Sequence, residues 1–117
     1  MNNSLHIRHY RSWGMHEHGV ITVVSRRETH NGHNHFYYGV AYCSPRDQFS
    51  RKSGVELATN RLNNTIPGYS GMVSVNNSIS SGRVSRAILS DIEANGCMPR
   101  WAEPVVLELL INEAINF

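Results

Sequence analysis

Two segments rich in β-branched and aromatic residues dominate the pattern of apolar positions. Residues 19–25 read Gly-Val-Ile-Thr-Val-Val-Ser, and residues 35–43 read His-Phe-Tyr-Tyr-Gly-Val-Ala-Tyr-Cys. Such runs are typical of β-strands. Asn31-Gly32 lies between them and is the strongest two-residue signal for a β-hairpin. The pattern therefore predicts an antiparallel hairpin, with further strands at 5–10 and 69–75.

Apolar residues recur at helical spacing after this hairpin. Val55, Ala58 and Leu62 lie three and four positions apart, so they share one face of a predicted helix. Asp47 or Ser50 would cap the N-terminus of this helix, which we expect to end near residue 63.

Two more helices are predicted toward the end of the chain. The first covers 83–95 and is followed by Gly96 at its C′ position, and the second covers 103–116 with Pro104 in its first turn. Leu107 and Ile111 lie partly outside the apolar stripe of the last helix. So broad an apolar surface suits either a buried helix or one that packs against a second subunit.

The order of these elements predicts an α+β fold, in which an antiparallel β-sheet carries about three α-helices packed mainly on one side. A chain of 117 residues has a common size for one domain. We therefore expect a single domain over 1–117.

Charge and hydropathy restrict the classes of molecule that the protein is expected to bind. The net charge is only +2, which makes a nucleic-acid partner unlikely on composition. Residues 1–61 carry eight Lys/Arg against four Asp/Glu, and this excess favours an anionic partner near the first half of the chain. No apolar run approaches the ~20 residues that cross a bilayer. The expected location is the cytoplasm, without a membrane partner.

Seven histidines fall before residue 36, but they match no known ligand spacing. His16 with His18, or His33 with His35, could supply a pair of metal ligands. The sequence contains no His-Glu-x-x-His, Cys-x-x-Cys, Gly-x-Ser-x-Gly or phosphate-loop motif. We therefore expect no catalytic residue, metal or cofactor, and hence no enzyme; a metal-dependent hydrolase that uses these histidines remains an alternative.

A basic segment precedes the first predicted helix. Arg46, Arg51 and Lys52 flank Phe49 at the expected helix N-terminus, where backbone N–H groups and the helix dipole attract phosphate. Arginine offers a planar fork to phosphate oxygens and lysine a point charge. Phe49 would either stack on a base or anchor the core.

A second basic group lies near the last two helices and contains Arg83, Arg86, Arg100 and Trp101. Arg83 and Arg86 are three positions apart, so they share a helix face. Two arginine groups with adjacent aromatic residues suit a compact nucleotide with two phosphates. A long duplex would need more cations spread along one face.

Residues 39–62 resemble a segment of small bacteriophage proteins. They read Gly-Val-Ala-Tyr-Cys-Ser-Pro-Arg-Asp-Gln-Phe-Ser-Arg-Lys-x-Gly-x-x-x-Ala-x-x-Arg-Leu, about a fifth of the chain. In those proteins a strand enters a Cys-Ser-x-x-Asp-x-Phe turn and then a helix. The size and layout are most similar to the first type of Thoeris anti-defence protein. These are oligomeric sponges that sequester cyclic ADP-ribose isomers made as immune signals, and some hold cyclic oligonucleotides in separate pockets.

The resemblance implies that the chain binds a cyclic nucleotide without turnover, as a homo-oligomer, in pockets shared between subunits. Arginines and an aromatic side chain would form the site. Phe36, Tyr37 and Tyr38 are consecutive and cannot all face one core, so at least one should reach an interface or a ligand. A protein-binding inhibitor of a host defence complex, acting through an exposed face, is the main alternative.

Overall fold

Four strands and three helices make up the fold in a computed structural model, which describes residues 5–11, 19–75 and 81–115, without the side chains of 81–82 and 112–115. In chain order the elements are β1 (His6–Tyr10), β2 (Val20–His30), β3 (His33–Cys43), α1 (Arg51–Asn64), β4 (Ser70–Val75), α2 (Ser81–Asn95) and α3 (Ala102–Ile115). All seven elements that the apolar pattern predicts are therefore present.

The strands form one antiparallel sheet in the order β1-β2-β3-β4. Asn31 and Gly32 connect β2 to β3 with positive φ angles of 53° and 80°, as a two-residue hairpin turn of type I′ requires. The two strands extend to His30 and His33, several residues beyond the apolar segments. Because the tight turn fixes the register, backbone pairing continues through polar residues that alone would not indicate a strand.

One face of the sheet packs against α2 and α3. Its core contains Ile21 and Val23 of β2, together with Tyr38 and Val40 of β3. Ile88, Leu89 and Ile92 of α2, and Ala102, Val105 and Val106 of α3, complete this cluster. The buried hydroxyl of Tyr38 donates to Oδ2 of Asp91 on α2 at 2.5 Å, which fixes the helix against the sheet.

The opposite face packs against α1. Val24 and Ala41 of the sheet meet Ala58 and Leu62 of the helix, all of them buried. Gly39 permits this contact, because a Cβ there would lie 2.1 Å from the carbonyl oxygen of Ala58. The glycine inside the strand thus marks a close backbone approach.

Helix α1 has the ends that its sequence suggests. Of the two predicted caps, Ser50 is the one used, since its Oγ accepts the backbone N–H of Ser53 at 3.2 Å. The helix ends at Asn64, and Thr65 follows with a left-handed φ of 49°. Cys43 at the end of β3 and Ser50 at this N-terminus line one shallow pocket, so the two ends lie side by side.

The α+β class and the antiparallel sheet with three helices are confirmed. Two of the helices share one face of the sheet, and α1 covers the other. The apolar pattern did not show this second layer. Consecutive residues of β2 and of β3 are apolar or small, so both faces of the sheet are apolar and neither is marked as the solvent face. None of the helices in the described part of the chain has the length and apolar content needed to cross a bilayer.

Candidate functional site

A cleft of about 290 Å³ opens on the α2 side of the sheet, near its β1 edge. We call it the basic cleft. Alternate residues of β1 and β2, one residue of β3 and the first turns of α2 line it: His6, Arg8, Tyr10, Val23, Ser25, Arg27, Phe36, Val84, Ser85 and Ile88. Side chains of a strand alternate between the two faces, so the register of the sheet brings these residues together.

The described lining of the basic cleft contains two arginines and one histidine and no acidic side chain. Arg8 lies opposite Val23 in the β1–β2 pairing, and Arg27 is four residues further along β2. At the usual rise of a strand this separates the two α-carbons by about 13 Å along the sheet. Within the described residues, neither arginine has a carboxylate within 4 Å. The cleft therefore presents two guanidinium groups that no acidic side chain of the described residues neutralises.

His6 and Arg8 contact each other at the mouth of the cleft. Nε of Arg8 donates to Nε2 of His6 at 3.2 Å, a bond that requires the imidazole nitrogen to be unprotonated. No described group accepts from the terminal nitrogens of Arg8. Those nitrogens keep the planar, two-pronged geometry that binds carboxylate and phosphate oxygens.

Apolar and hydroxyl groups form the inner wall of the cleft. Val23 and Ile88 are buried, and Phe36 is partly exposed where the cleft opens. Ser25 and Ser85 are almost fully buried, and the hydroxyl of Tyr10 is hydrogen-bonded to Oγ of Ser85. A small ligand with an apolar ring and separated anionic groups would find both kinds of surface here.

Ser25 lies opposite His6 on the neighbouring strand. A serine beside a histidine is a candidate nucleophile with its general base. No hydrogen bond joins the two side chains, and within the described residues no carboxylate orients the imidazole. A serine nucleophile needs both the adjacent base and the group that orients the base. Among the described residues, the cleft therefore contains no serine–histidine–carboxylate arrangement.

The first predicted basic segment lies on the other face of the sheet, at the N-terminus of α1. Phe49 is partly buried there, with its ring centroid 5.2 Å from that of His9 and 5.3 Å from the guanidinium carbon of Arg11. Arg46, Arg51 and Lys52 are exposed around it. The segment is thus basic as expected. His9 of β1 and Arg11, the residue after β1, join it, although nothing in the local sequence connects them with it.

The electrostatics of this cluster follow from the same contacts. Nδ1 of His9 is hydrogen-bonded to Oγ1 of Thr22 at 2.8 Å. Burial, and then the positive charges of Arg51 and Arg11, lower the pKa of His9 below its ordinary value. The imidazole is therefore held neutral between two arginines.

The residues of the second predicted basic group do not lie together in the structure. Arg86 turns toward α3, where its Nη1 donates to the carbonyl oxygen of Leu110 at 2.7 Å. Arg83 is exposed in the first turns of α2, and Arg100 is exposed in the link before α3. Trp101 packs at the edge of the core, with its ring centroid 6.3 Å from that of Tyr42.

The two predicted basic groups do not form one pocket within a single chain. Phe49 and its cations lie on the α1 side of the sheet, whereas α2 carries Arg83 and Arg86 on the opposite side. A compact nucleotide bound to one chain could not contact both groups.

The three consecutive aromatic residues separate as strand geometry requires. Tyr38 is buried under α2, Tyr37 lies on the α1 side beneath the guanidinium of Arg26, and Phe36 lines the basic cleft. His16 and His18 fall outside the described residues. Among the residues that are described, no group of three His, Cys, Asp or Glu side chains is placed to hold a metal ion.

Sequence analysis missed the basic cleft because its charged residues are dispersed along the chain. His6, Arg8 and Arg27 belong to two strands, and only the β1–β2 register places them on one face. The excess of Lys/Arg in the first half of the chain was the one signal that pointed to them.

Comparisons with protein-family models, with curated proteins and with solved structures find no match to this chain.

Proposed function

We propose that the chain binds a small phosphate-bearing ligand of the nucleotide class in the basic cleft and holds it without chemical change. One observation carries this proposal. The cleft combines an aromatic ring and one imidazole with two guanidinium groups that have no carboxylate partner among the described residues. Phosphate oxygens would accept from Arg8 and Arg27, and a base would lie against Phe36.

The separation of the two arginines favours a ligand with anionic groups at more than one point. A guanidinium–phosphate hydrogen bond typically contributes about 1.5–3 kcal/mol. A ring closed through phosphates, as in a cyclic nucleotide, presents such groups from a compact and already rigid body, so little conformational entropy is lost on binding.

The finer proposal is that the protein sequesters a cyclic nucleotide immune signal, either a cyclic ADP-ribose isomer or a cyclic oligonucleotide, as a phage-type sponge. The resemblance of residues 39–62 supports it. A sponge acts by stoichiometric capture and slow release, so a pre-formed cleft matters more than reactive groups. A homo-oligomer with pockets shared between subunits belongs to the same proposal.

Native mass spectrometry with a panel of cyclic nucleotides, including cyclic ADP-ribose isomers, tests this function. We expect a mass increment of one ligand per site and recovery of the intact ligand after denaturation. A ligand recovered in cleaved form would instead indicate an enzyme. The absence of any increment across the panel would contradict nucleotide binding.

Matched variants locate the site. Arg27→Gln should weaken binding of the captured nucleotide about 10- to 100-fold, the equivalent of one charged hydrogen bond. Arg46→Gln is the control, because Arg46 is equally exposed but lies at the N-terminus of α1. If Arg46→Gln weakened binding and Arg27→Gln did not, the ligand would belong to the Phe49 cluster of the opposite face.

A second candidate function, a protein-binding inhibitor, is favoured by the outer surface of α3. Leu107 and Ile111 are 41% and 61% exposed and lie one helical turn apart. Exposed apolar side chains at this spacing are a common feature of helical interfaces. A stable complex with a host protein, lost in Leu107→Ser/Ile111→Ser but kept in Arg27→Gln, would favour this function over nucleotide capture.

A further inference from the structure

A second cavity, of about 350 Å³, lies at the other end of the sheet from the hairpin turn. The end of β3, the last turn of α1, the residue before β4 and the link between α2 and α3 surround it. Its lining consists of Tyr42, Arg61, Tyr69, Cys97, Met98 and Pro99. We call it the Tyr42 cavity. It shares no residue with the basic cleft.

The hydroxyl of Tyr42 is buried and has no hydrogen-bond partner among the described groups. The ring is held edge-to-face by Tyr69 and Trp101, each with a centroid 6.3 Å away. Burial raises the pKa of Tyr42, and the nearby Tyr69 and Cys97 add to this shift while Arg61 opposes it. The hydroxyl therefore stays protonated. Buried hydroxyls in native proteins are rarely left unsatisfied, so this one points to a missing acceptor.

Arg61 supplies a fixed positive charge to the same cavity. Its Nη1 donates to the carbonyl oxygen of Val40 at 2.9 Å, and its guanidinium carbon lies 4.1 Å from the centroid of the Tyr69 ring. Within the described residues, no carboxylate lies within 4 Å of it. One nitrogen anchors the guanidinium to the sheet, while its other N–H groups keep no described partner.

The chemistry of the lining is complementary to a monoanion with a flat apolar body. Arg61, the Tyr42 hydroxyl and the Cys97 thiol all can donate, and no lining residue is acidic. The only formal charge in this lining is the guanidinium of Arg61, which already donates one hydrogen bond to the carbonyl oxygen of Val40. A singly charged carboxylate therefore matches it better than a dianionic phosphate. Tyr69, Met98 and Pro99 give the apolar wall against which a ring can pack.

We propose that the Tyr42 cavity is a second binding site, which takes a small aromatic carboxylate. The carboxylate accepts from the N–H groups of Arg61 and, after a shift of the Tyr42 ring that brings its buried hydroxyl to the cavity surface, from that hydroxyl. The ring of the ligand lies along Tyr69, Met98 and Pro99. This site is independent of the nucleotide-class function, since the two cavities use different elements of the fold.

Titration of the protein with benzoate, followed through backbone amide NMR shifts, tests the site. We expect the amides of Tyr69 and Cys97 and their chain neighbours to move, and the amides of β1 to stay in place. Benzamide is the matched neutral probe and should produce at most a small part of these shifts. No movement with benzoate, or equal movement with both probes, would overturn the proposal.

The Tyr42→Phe variant separates a ligand site from a packing defect. It keeps the ring contacts with Tyr69 and Trp101 and removes only the hydroxyl. We expect it to weaken benzoate binding at least fivefold, whereas Tyr37→Phe, on the opposite face, should leave it unchanged. If Tyr42→Phe raised the melting temperature and bound benzoate as the parent does, the hydroxyl would be an unsatisfied group without a ligand.

Thiol protection gives an independent readout in the unaltered protein. Cys97 is exposed at the cavity, while Cys43 lies on the α1 side and contacts the carbonyl oxygens of Ser44 and Asp47. Benzoate should slow alkylation of Cys97 by iodoacetamide severalfold and leave the rate at Cys43 unchanged. An unchanged Cys97 rate, or equal slowing at both thiols, would count against occupation of the cavity.

Discussion

Gly39 of β3 lies directly beneath the backbone of Ala58 in helix α1. A Cβ at residue 39 would be 2.1 Å from the carbonyl oxygen of Ala58 and 2.5 Å from the amide nitrogen of Leu62. Both atoms belong to the helix backbone, which cannot yield as a flexible side chain can. The distance between the helix and this face of the sheet is therefore set by the missing side chain.

We expect Gly39→Ala to lower the free energy of unfolding by about 3 kcal/mol, because overpacking against backbone atoms forces the helix away from the sheet. Urea unfolding followed by circular dichroism measures it. His33→Ala, at an exposed position of the same strand, is the control and should change stability by less than about 0.5 kcal/mol. Equal stability of the two variants would show that α1 does not depend on this contact.

The hydrogen bond between Tyr38 and Asp91 should be a main link between the sheet and α2. Tyr38→Phe should cost about 2 kcal/mol, since a bond to a charged group is lost and the carboxylate keeps only Asn95, which donates to Oδ1 at 3.0 Å. Tyr37→Phe provides the comparison, because no hydrogen bond of its hydroxyl is present in the described structure. Urea unfolding of both variants at pH 7 measures the loss of unfolding free energy. A small and equal loss in the two variants would contradict the role of this bond.

His9 should make the fold less stable in mild acid. Because its pKa is lowered in the folded state, the unfolded chain binds a proton more readily below about pH 6.5. The contribution of His9 to the free energy of unfolding is therefore fully present above that pH and is lost as the pH falls through the pKa of His9 in the folded state. In His9→Gln the decline in the free energy of unfolding between pH 7.5 and 5.0 should be smaller than in the parent, while His33→Gln should retain it. An unchanged decline in His9→Gln would refute the assignment.

Arg86 should hold α3 onto α2. Replacing it with Gln removes the donor to the carbonyl oxygen of Leu110, and we expect a loss of about 1.5 kcal/mol with increased amide exchange in α3. Arg100→Gln, at an exposed site in the preceding link, should have little effect on either measurement. If the two variants exchanged alike, the contact to Leu110 would contribute nothing measurable.

The sequence allowed the elements of the fold to be predicted, but not their layers. The β-branched segments and Asn31-Gly32 were sufficient for the hairpin, and helical spacing was sufficient for α1, α2 and α3. Alternation along β2 could not show which face each helix covers, since Val23 and Val24 are both apolar and both buried. A glycine inside a strand, as at Gly39, is a local sign that another backbone approaches closely, but it does not identify a helix.

The candidate sites were harder to predict, because they depend on pairing between distant residues. Clustering along the chain indicated Arg46, Arg51 and Lys52, and the structure adds Arg11 to them. The basic cleft requires Arg8 and Arg27 to share a face, and this follows from strand register, which the sequence does not state. The Tyr42 cavity combines residues from two elements and two connecting segments, so no local pattern could reveal it.

The sheet separates two apolar clusters that have no side chain in common. Coupling between α1 and the pair α2–α3 therefore runs through the strands and through the link after α2, where the backbone N–H of Cys97 donates to the carbonyl oxygen of Gly68 at 2.9 Å. Helix α1 rests on the smaller cluster, so we expect it to open locally more readily than α2 and α3 while the larger cluster stays closed. Such opening would expose Val24 and Ala41, which α1 covers, and would leave the basic cleft intact.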